Sequence, residues 1–270
     1  MSGAQDALRA TATRLLESGG VAVVIGYGAG TLGRRRPVFA RAAAQVEQLV
    51  FDDECHQNLA TYLLKPEVRR LGRPAVVAIP SVLRSIVQLV TERQLKDGEV
   101  LPLAVADDGA VRELADISAV RQHLDGLPGS LHPVARAEIE RLSAMTAAER
   151  RAFWSDELGR CIKCYACRAS CPMCYCSRCT TECNRPQWIP VASHGLGNLE
   201  YHLMRAMHLA GRCVECATCS RACPVGIPVH LLAVFAEESV RRQFGAEAGA
   251  AGPAYALSSF RPEDQEGFIR

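Results

Sequence analysis

The stretch that decides how this chain folds runs from Cys161 to Cys223. It begins with CIKCYACRASCP (161–172) and ends with CVECATCSRACP (213–224). Twelve of the thirteen cysteines in the 270-residue chain lie within it. Both segments match the C-x2-C-x2-C-x3-C-P run that holds cubane iron–sulfur clusters. The two runs together predict a pair of [4Fe–4S] clusters.

The spacing of the cysteines also predicts which thiolates share a cluster. A four-iron cube needs one thiolate per iron, and in two-cluster ferredoxins the fourth cysteine of each run ligates the other cluster. We therefore expect the first three cysteines of each run to be joined by the last cysteine of the other run. The first predicted set is Cys161, Cys164, Cys167 and Cys223, and the second is Cys213, Cys216, Cys219 and Cys171.

Two other uses of cysteine compete with this interpretation. Structural zinc also takes all-cysteine sites, but such sites usually pair two C-x2-C knuckles rather than a triple run that ends in Cys-Pro. A disulfide framework is typical of small secreted chains, and the first ten residues, MSGAQDALRA, contain no apolar signal core. Abundant free thiols then predict a reducing, cytoplasmic location.

Four further cysteines lie between the two runs, in CYCSRCTTEC (174–183). A third [4Fe–4S] cluster, a zinc site and partly used thiols all remain open there, because the one-residue gap at its start is not a ferredoxin spacing. Cys55 is the alternative fourth ligand, although a lone cysteine is more often a small buried apolar residue. The candidate ligands of this middle centre are Cys174, Cys176, Cys179 and Cys183.

Composition excludes several classes of function. The formal net charge of +2 gives no reason to expect nucleic-acid binding or electrostatic attachment to a membrane. The longest aliphatic run, VAVVI (21–25), is far too short to span a bilayer. A hydrophobic content of 49% suffices for a sizeable core, and the length predicts one large or two modest domains.

Residues 1–145 read as a small α/β domain. Amphipathic helices are expected at 5–18 and 81–94, the second with Ser81 as its N-cap. Strands that alternate with helices predict a parallel sheet. The three apolar segments expected to form its strands are VAVVIGY (21–27), PAVVAIP (74–80) and VLPLAVAD (100–107).

A glycine-rich loop follows the first expected strand. Gly28, Gly30 and Gly33 match the dinucleotide-binding pattern G-x-G-x-x-G, which requires a helix immediately after it. Three arginines and Pro37 follow instead, and proline disfavours helix in the residue before it. We therefore interpret the glycines as a tight turn. A flavin or nucleotide site near Gly26–Gly33 is the alternative.

Residues 146–243 are expected to form an α-helical, ferredoxin-like dicluster domain. Thr146 and Glu149 have the spacing of a capping box and predict a helix that leads into the first run. A second helix, near 198–209, returns the chain to the second run, and its histidines are interpreted as packing or hydrogen-bonding residues. Residues 244–270 are expected to be an extended C-terminal tail.

Several segments of the chain resemble a known family of electron-transfer subunits. They are GYGAGTLGRRRPVFAR (26–41), FDDECHQNLATYL (51–63), RCIKCYACRASCPMCYCSRC (160–179), NRPQWIPVASHG (184–195) and HLAGRCVECATCSRACPVGIP (208–228). They are similar to β subunits of deazaflavin-reducing hydrogenases and formate dehydrogenases, and to the dicluster subunits that accompany heterodisulfide-reductase-like flavoproteins.

The resemblance implies a hetero-oligomeric subunit that passes electrons between a flavoprotein and a catalytic partner and has no substrate pocket of its own. Members of this family often carry a cysteine after the second strand, where this chain has Ser81. Flavin is therefore not expected, and the N-terminal domain is interpreted as a docking scaffold. The alternatives are a catalytic flavin–iron–sulfur subunit and a zinc-stapled interaction module.

Overall fold

The N-terminal half of the protein is built on a five-stranded sheet. The computed structural model describes residues 2–106, 108–127, 133–181 and 186–250. The strands have the order β2-β1-β3-β4-β5 across the sheet. They are β1 (Val23–Ala29), β2 (Arg35–Ala40), β3 (Pro74–Ala78), β4 (Leu101–Val105) and β5 (Val111–Glu113).

The sheet is mixed rather than purely parallel. The three predicted strands β1, β3 and β4 pair in parallel, with Val23 opposite Pro74 and Ala75 opposite Leu101. Their residues are almost continuously buried, as expected for strands covered on both faces. The edge strands β2 and β5 run antiparallel to their neighbours. The prediction of a small parallel sheet is therefore correct for the centre and wrong for the edges.

Helices surround the sheet and form most of the C-terminal half. They are α1 (Ser2–Glu17), α2 (Pro66–Arg69), α3 (Pro80–Thr91), α4 (Ile117–Asp125), α5 (Pro133–Ala144), α6 (Ala147–Gly159), α7 (Ala166–Ala169), α8 (Gly195–Leu209), α9 (Thr218–Arg221) and α10 (His230–Phe244). Short 3-10 helices occur at Thr31–Gly33, Ala43–Gln48 and Leu59–Tyr62. Within the described residues, no helix combines the length and the apolar character needed to cross a membrane.

Helix starts follow local chemistry that is only partly visible in the sequence. Thr146 caps α6 in a capping box with Glu149, as predicted. The N-cap prediction for Ser81 is wrong, because α3 begins one residue earlier, with Pro80 in its first turn and Ile79 as a cap without a side-chain hydrogen bond. Proline suits the first turn because its missing N–H would have no helical partner there.

The two halves of the chain share a continuous core. Met173, Leu209 and Ala233 belong to the same buried apolar cluster as the sheet. A buried ion pair also joins them, since Arg212 donates through Nη2 to Glu92 at 2.7 Å. Helix α5 belongs to a separate apolar cluster, in which it packs on α10 instead of the sheet. The cysteine-rich region is therefore seated directly on the α/β sheet.

The first residues of the C-terminal segment are fastened to the helices. The backbone N–H of Ala248 donates to Glu237 at 3.0 Å, and that of Gly249 donates to Gln88 at 2.9 Å. A Cβ on Gly249 would lie 2.6 Å from the carbonyl oxygen of Arg84, so this residue must be small. The predicted extended tail is thus anchored at its start. Residues 251–270 lie outside the described part of the chain.

Candidate metal centres

Both cysteine runs adopt the same unusual backbone conformation. In the first run Lys163 and Tyr165 have φ of 51° and 57°, and in the second Glu215 and Ala217 have φ of 58° and 53°. These residues flank the second cysteine of each run, and a short helix, α7 or α9, follows each loop. Non-glycine residues rarely occupy this left-handed region because of steric strain. The same strain at equivalent positions marks two copies of one loop conformation.

This conformation gives a stability prediction at Ala217. Ala217→Gly should raise the free energy of unfolding by about 1 kcal/mol, because glycine carries no penalty at positive φ. The matched control is Ala169→Gly in α7, where the same change should lower it by about 0.5–1 kcal/mol. Anaerobic thermal unfolding of both variants measures the difference. A loss of stability at both positions would contradict the left-handed geometry at Ala217.

The four cysteines of the first predicted set converge. Burial raises the pKa of the Cys161 thiol, and the charges of Cys167, Cys164 and Cys223 raise it further. The same four residues line one cavity, together with apolar side chains from the loop and from the segment after the second run. The fourth cysteine of the second run therefore lies with the first three of the first run.

The cysteines of the second set lie near one another, and Cys171 also forms a hydrogen bond with Cys174 of the middle group. Burial raises the pKa of Cys213 well above its usual range, and the charges of Cys216, Cys219 and Cys171 add to this effect. Cys219 is also buried, and the charges of Cys171 and Cys216 help to raise its pKa to about 12. Such thiols gain from ligation, because a metal takes the thiolate and compensates its charge.

Hydrogen-bond donors surround the sulfur atoms of the first set. The backbone N–H of Lys163 donates to Cys161 Sγ at 3.4 Å, and that of Ile227 donates to Cys223 Sγ at the same distance. The Tyr201 hydroxyl lies 3.4 Å from Cys167 Sγ. Hydrogen bonds of this kind orient metal ligands and stabilise negative charge on them.

The histidines of the α8 region have structural partners. His202 Nε2 lies 3.3 Å from Cys161 Sγ, and burial, with Arg205 and Lys163 nearby, lowers its pKa to about 4. The ring is therefore neutral and can donate one N–H to the sulfur. His194 caps α8 by accepting from the backbone N–H of Gly197. These contacts confirm the hydrogen-bonding interpretation for both residues.

Three of the four middle cysteines line a second cavity. Cys174, Cys176 and Cys179 border a space of about 280 Å³ beside α8, with Arg168 and Arg205 also on its wall. Cys183 lies outside the described residues. Cys55 does not border this space; its thiol lies 3.8 Å from the carbonyl oxygen of Val50 and belongs to the core around the sheet.

The described cysteines are available as metal ligands. All twelve described cysteines are free thiols. Within the described residues, no group of three or more His, Cys, Asp or Glu side chains is arranged to hold one metal ion. A single zinc ion gathers its four ligands on one atom, whereas a four-iron cube spreads four thiolates over four irons. The four cysteines of the first set border one cavity.

The glycine-rich loop is occupied by the protein's own chain. It leads into β2 rather than a helix, and a Cβ on Gly28 would lie 2.4 Å from Val38. A Cβ on Gly30 would lie 2.7 Å from the carbonyl oxygen of Arg34. The side chain of Arg35 in this segment forms an ion pair with Asp52 at 2.5 Å. These glycines accommodate close packing of the hairpin, so they provide no dinucleotide loop.

Two residues of the site escaped the sequence analysis. Tyr201 and Arg205 lie on the buried face of α8, and both contact Cys167. The Tyr201 hydroxyl lies near the Cys167 sulfur, and the Arg205 guanidinium donates to the Cys167 backbone carbonyl. One sequence feature could have identified them. A helix that connects the two cysteine runs is expected to turn its buried side toward the cysteines.

Comparison with known proteins gives a partial match. No protein-family model matches the chain. Over 77 residues, which are 28% of this chain, the sequence is 36% identical to the F420-dependent formate dehydrogenase subunit beta of Methanocaldococcus jannaschii. The matched segment covers 20% of that subunit, so most of its length has no counterpart in the match. The chain is thus similar, over a short segment, to a subunit of an oxidoreductase.

Proposed function

We propose that this protein is an electron-transfer subunit of a multisubunit cytoplasmic oxidoreductase. It relays electrons through two [4Fe–4S] clusters and a third centre, between a flavoprotein partner and a catalytic partner. The partial similarity to a formate dehydrogenase β subunit supports the class of complex. The alternative of a flavin or nucleotide site at Gly26–Gly33 is not favoured, because the segment leads into β2 instead of a helix and the protein's own residues lie against Gly26, Gly28 and Gly30.

The observation that carries the proposal is the grouping of Cys161, Cys164 and Cys167 from the first run with Cys223 from the second run around one cavity. It supports a crossed arrangement, in which each run gives three thiolates to one cluster and its last thiolate to the other. The loops share one strained conformation, and α7 packs against α9. In the proposed arrangement two clusters would lie side by side, as short-range electron transfer between them requires.

The protein's own residues hold and tune the centres. A cluster supplies reversible one-electron chemistry when bound. The eight thiolates of the two runs would hold the two clusters in place. The N–H donors of Lys163, Ile227 and His202 favour negative charge on the cysteine sulfurs. Cys164 and Cys176 are exposed, so the first centre and the middle centre each have one edge near the surface where a partner protein can approach.

The middle centre extends the same relay. We infer that Cys174, Cys176 and Cys179 hold three corners of a third cluster, with Cys183 as the fourth ligand. The cavity that the three described thiols border lies next to α8, whose Tyr201 and His202 side chains reach Cys167 and Cys161. Structural zinc at the same cysteines is the competing occupant, and it would end the relay at two clusters.

Coulometric reduction of anaerobically purified protein tests the relay. Each [4Fe–4S] cluster takes up one electron, so we expect about three electrons per chain if the middle centre is a cluster. About two electrons per chain, with zinc present, would restrict the relay to the two runs. A colourless protein that takes up no electrons would refute the proposed function.

A further inference from the structure

One face of α8 carries three buried polar side chains against the cysteine runs. Tyr201, His202 and Arg205 are each at most 5% exposed. Arg205 is four residues from Tyr201 and three from His202, so its side chain lies between theirs on one side of the helix. The hydroxyl and the imidazole each lie near one sulfur of the first set. Arg205, one turn further along, is the only charged member of this trio.

The guanidinium of Arg205 contacts the first and middle groups of cysteines and lies close to cysteines of the second group. Its Nη2 donates to the backbone carbonyl of Cys167 at 3.2 Å, beside the first centre. It borders the cavity of the middle cysteines. Its Nε is buried and has no hydrogen-bond partner among the described residues. The charges that most favour its protonated form are those of Cys219, Cys171, Cys174 and Cys167, which belong to all three centres.

A buried guanidinium needs compensating negative charge. Removing such a group from water costs several kcal/mol unless an opposite charge repays it. A four-iron cube with four thiolates is anionic in both redox states and gains one further negative charge on reduction. The charge of Arg205 therefore stabilises the reduced state of a nearby cluster more than the oxidised state.

We propose that Arg205 is the shared counter-charge of the three centres and that it raises the reduction potential of each cluster beside it. This inference rests on the proposed function. Arg205 acts as a positioning and tuning residue. It donates to the backbone of the cysteine segment and is not itself a cluster ligand. Because Arg205 lies near all three groups of cysteines, one side chain can keep the reduction potentials of the three centres similar.

The test compares reduction potentials in three variants by EPR-monitored redox titration of the reconstituted full chain. Arg205→Gln removes the charge and retains hydrogen-bonding capacity. At fixed solution potential, the ratio of reduced to oxidised cluster should fall about tenfold, which corresponds to about 59 mV for a one-electron couple. Arg205→Lys keeps the charge, so its potentials should stay near those of the wild type. Arg178→Gln is the matched control, because Arg178 is solvent-exposed and next to Cys179, where water screens its charge.

The outcomes separate this inference from the proposed function. Wild-type protein that binds no iron would refute the function itself. If Arg205→Gln binds the wild-type amount of iron and has unchanged potentials, the counter-charge role is wrong. If Arg205→Gln fails to bind clusters while Arg205→Lys binds them with normal potentials, the need for the charge is upheld. Failure of both variants to bind clusters would assign Arg205 to shape rather than charge and overturn the inference.

Discussion

Cys216→Ser is expected to remove one cluster, which is about four iron and four sulfide per chain, and to leave the remaining metal in place. Cys216 belongs to the second convergent set, and serine is a poor ligand for the iron that it would face. Cys164→Ser should remove the same amount from the first set. Because ligation is coupled to folding, both variants should also unfold at lower temperature. Iron and sulfide analysis after anaerobic reconstitution measures the effect.

Double variants test the crossing of the two sets. Cys164 and Cys223 belong to the same group, so their joint replacement by serine should cost no more iron than Cys164→Ser alone. Joint replacement of Cys164 and Cys171 should cost about eight iron, because the two thiols belong to different groups. The reverse pattern would mean that each run binds its own cluster, and it would contradict the crossed arrangement.

Cys55→Ser is the control for these variants. The Cys55 thiol is buried and contacts Asp52 and Val50 instead of the cysteine runs. The substitution should leave the iron content unchanged. A loss of iron in Cys55→Ser would place that thiol among the ligands, although it does not border the cavity of the middle cysteines.

Glu92→Gln is expected to lower the free energy of unfolding by about 3 kcal/mol, since breaking a buried ion pair leaves an uncompensated charge. Glu92 has a side chain only 2% exposed, and it accepts hydrogen bonds from Arg212 and from the hydroxyl of Tyr175. For a chain of this size the change corresponds to a decrease in Tm of roughly 6–12 °C. Anaerobic thermal unfolding followed by circular dichroism measures it.

The control is Glu138→Gln. Glu138 pairs with Arg141 three residues away, and both side chains are more than 40% exposed, so its loss should change stability by less than about 1 kcal/mol. Equal effects of the two substitutions would show that the Glu92 pair contributes no more than a surface pair. Such a result would mean that this pair adds little to the attachment of the cysteine-rich half to the sheet.

The same pair predicts how stability depends on pH. Burial alone would raise the pKa of Glu92, but hydrogen bonds from Arg212, Tyr175 and Gln88 hold it below its usual value of 4.5. A carboxyl whose folded-state pKa is lowered stabilises the fold above its unfolded pKa, and this stabilisation is lost as the pH falls through the folded pKa. The difference in Tm between wild type and Glu92→Gln should therefore be constant near neutral pH and shrink below pH 4.5.

The central strands were predictable because apolar residues fill them almost without interruption. The segments around Val23, Val76 and Leu103 are buried on both faces, and such runs stand out in any sequence. The edge strand β2 was not predictable by the same rule, because it begins with arginines and contains Pro37. An edge strand tolerates proline, since one of its sides needs no ladder hydrogen bonds. Pairing with Asp52 then accommodates Arg35.

The candidate site was predictable as far as spacing alone determines it. The two-residue gaps of each run predict three neighbouring ligands, and the terminal Cys-Pro predicts a fourth, which stays a prediction. The left-handed residues were not predictable, because Lys163 and Glu215 have no intrinsic preference for positive φ. The approach of Arg205 was also hidden, since it depends on how α8 packs across both loops and not on any local pattern.

Iron, acid-labile sulfide and zinc per chain, measured on anaerobically purified protein together with its flavin absorbance, test the central claim most directly. We expect about twelve iron and twelve sulfide with neither zinc nor flavin, or about eight of each with one zinc if the middle cysteines hold zinc. Two or three zinc ions with no sulfide would contradict the claim. The cysteines would then hold structural zinc, which does not transfer electrons.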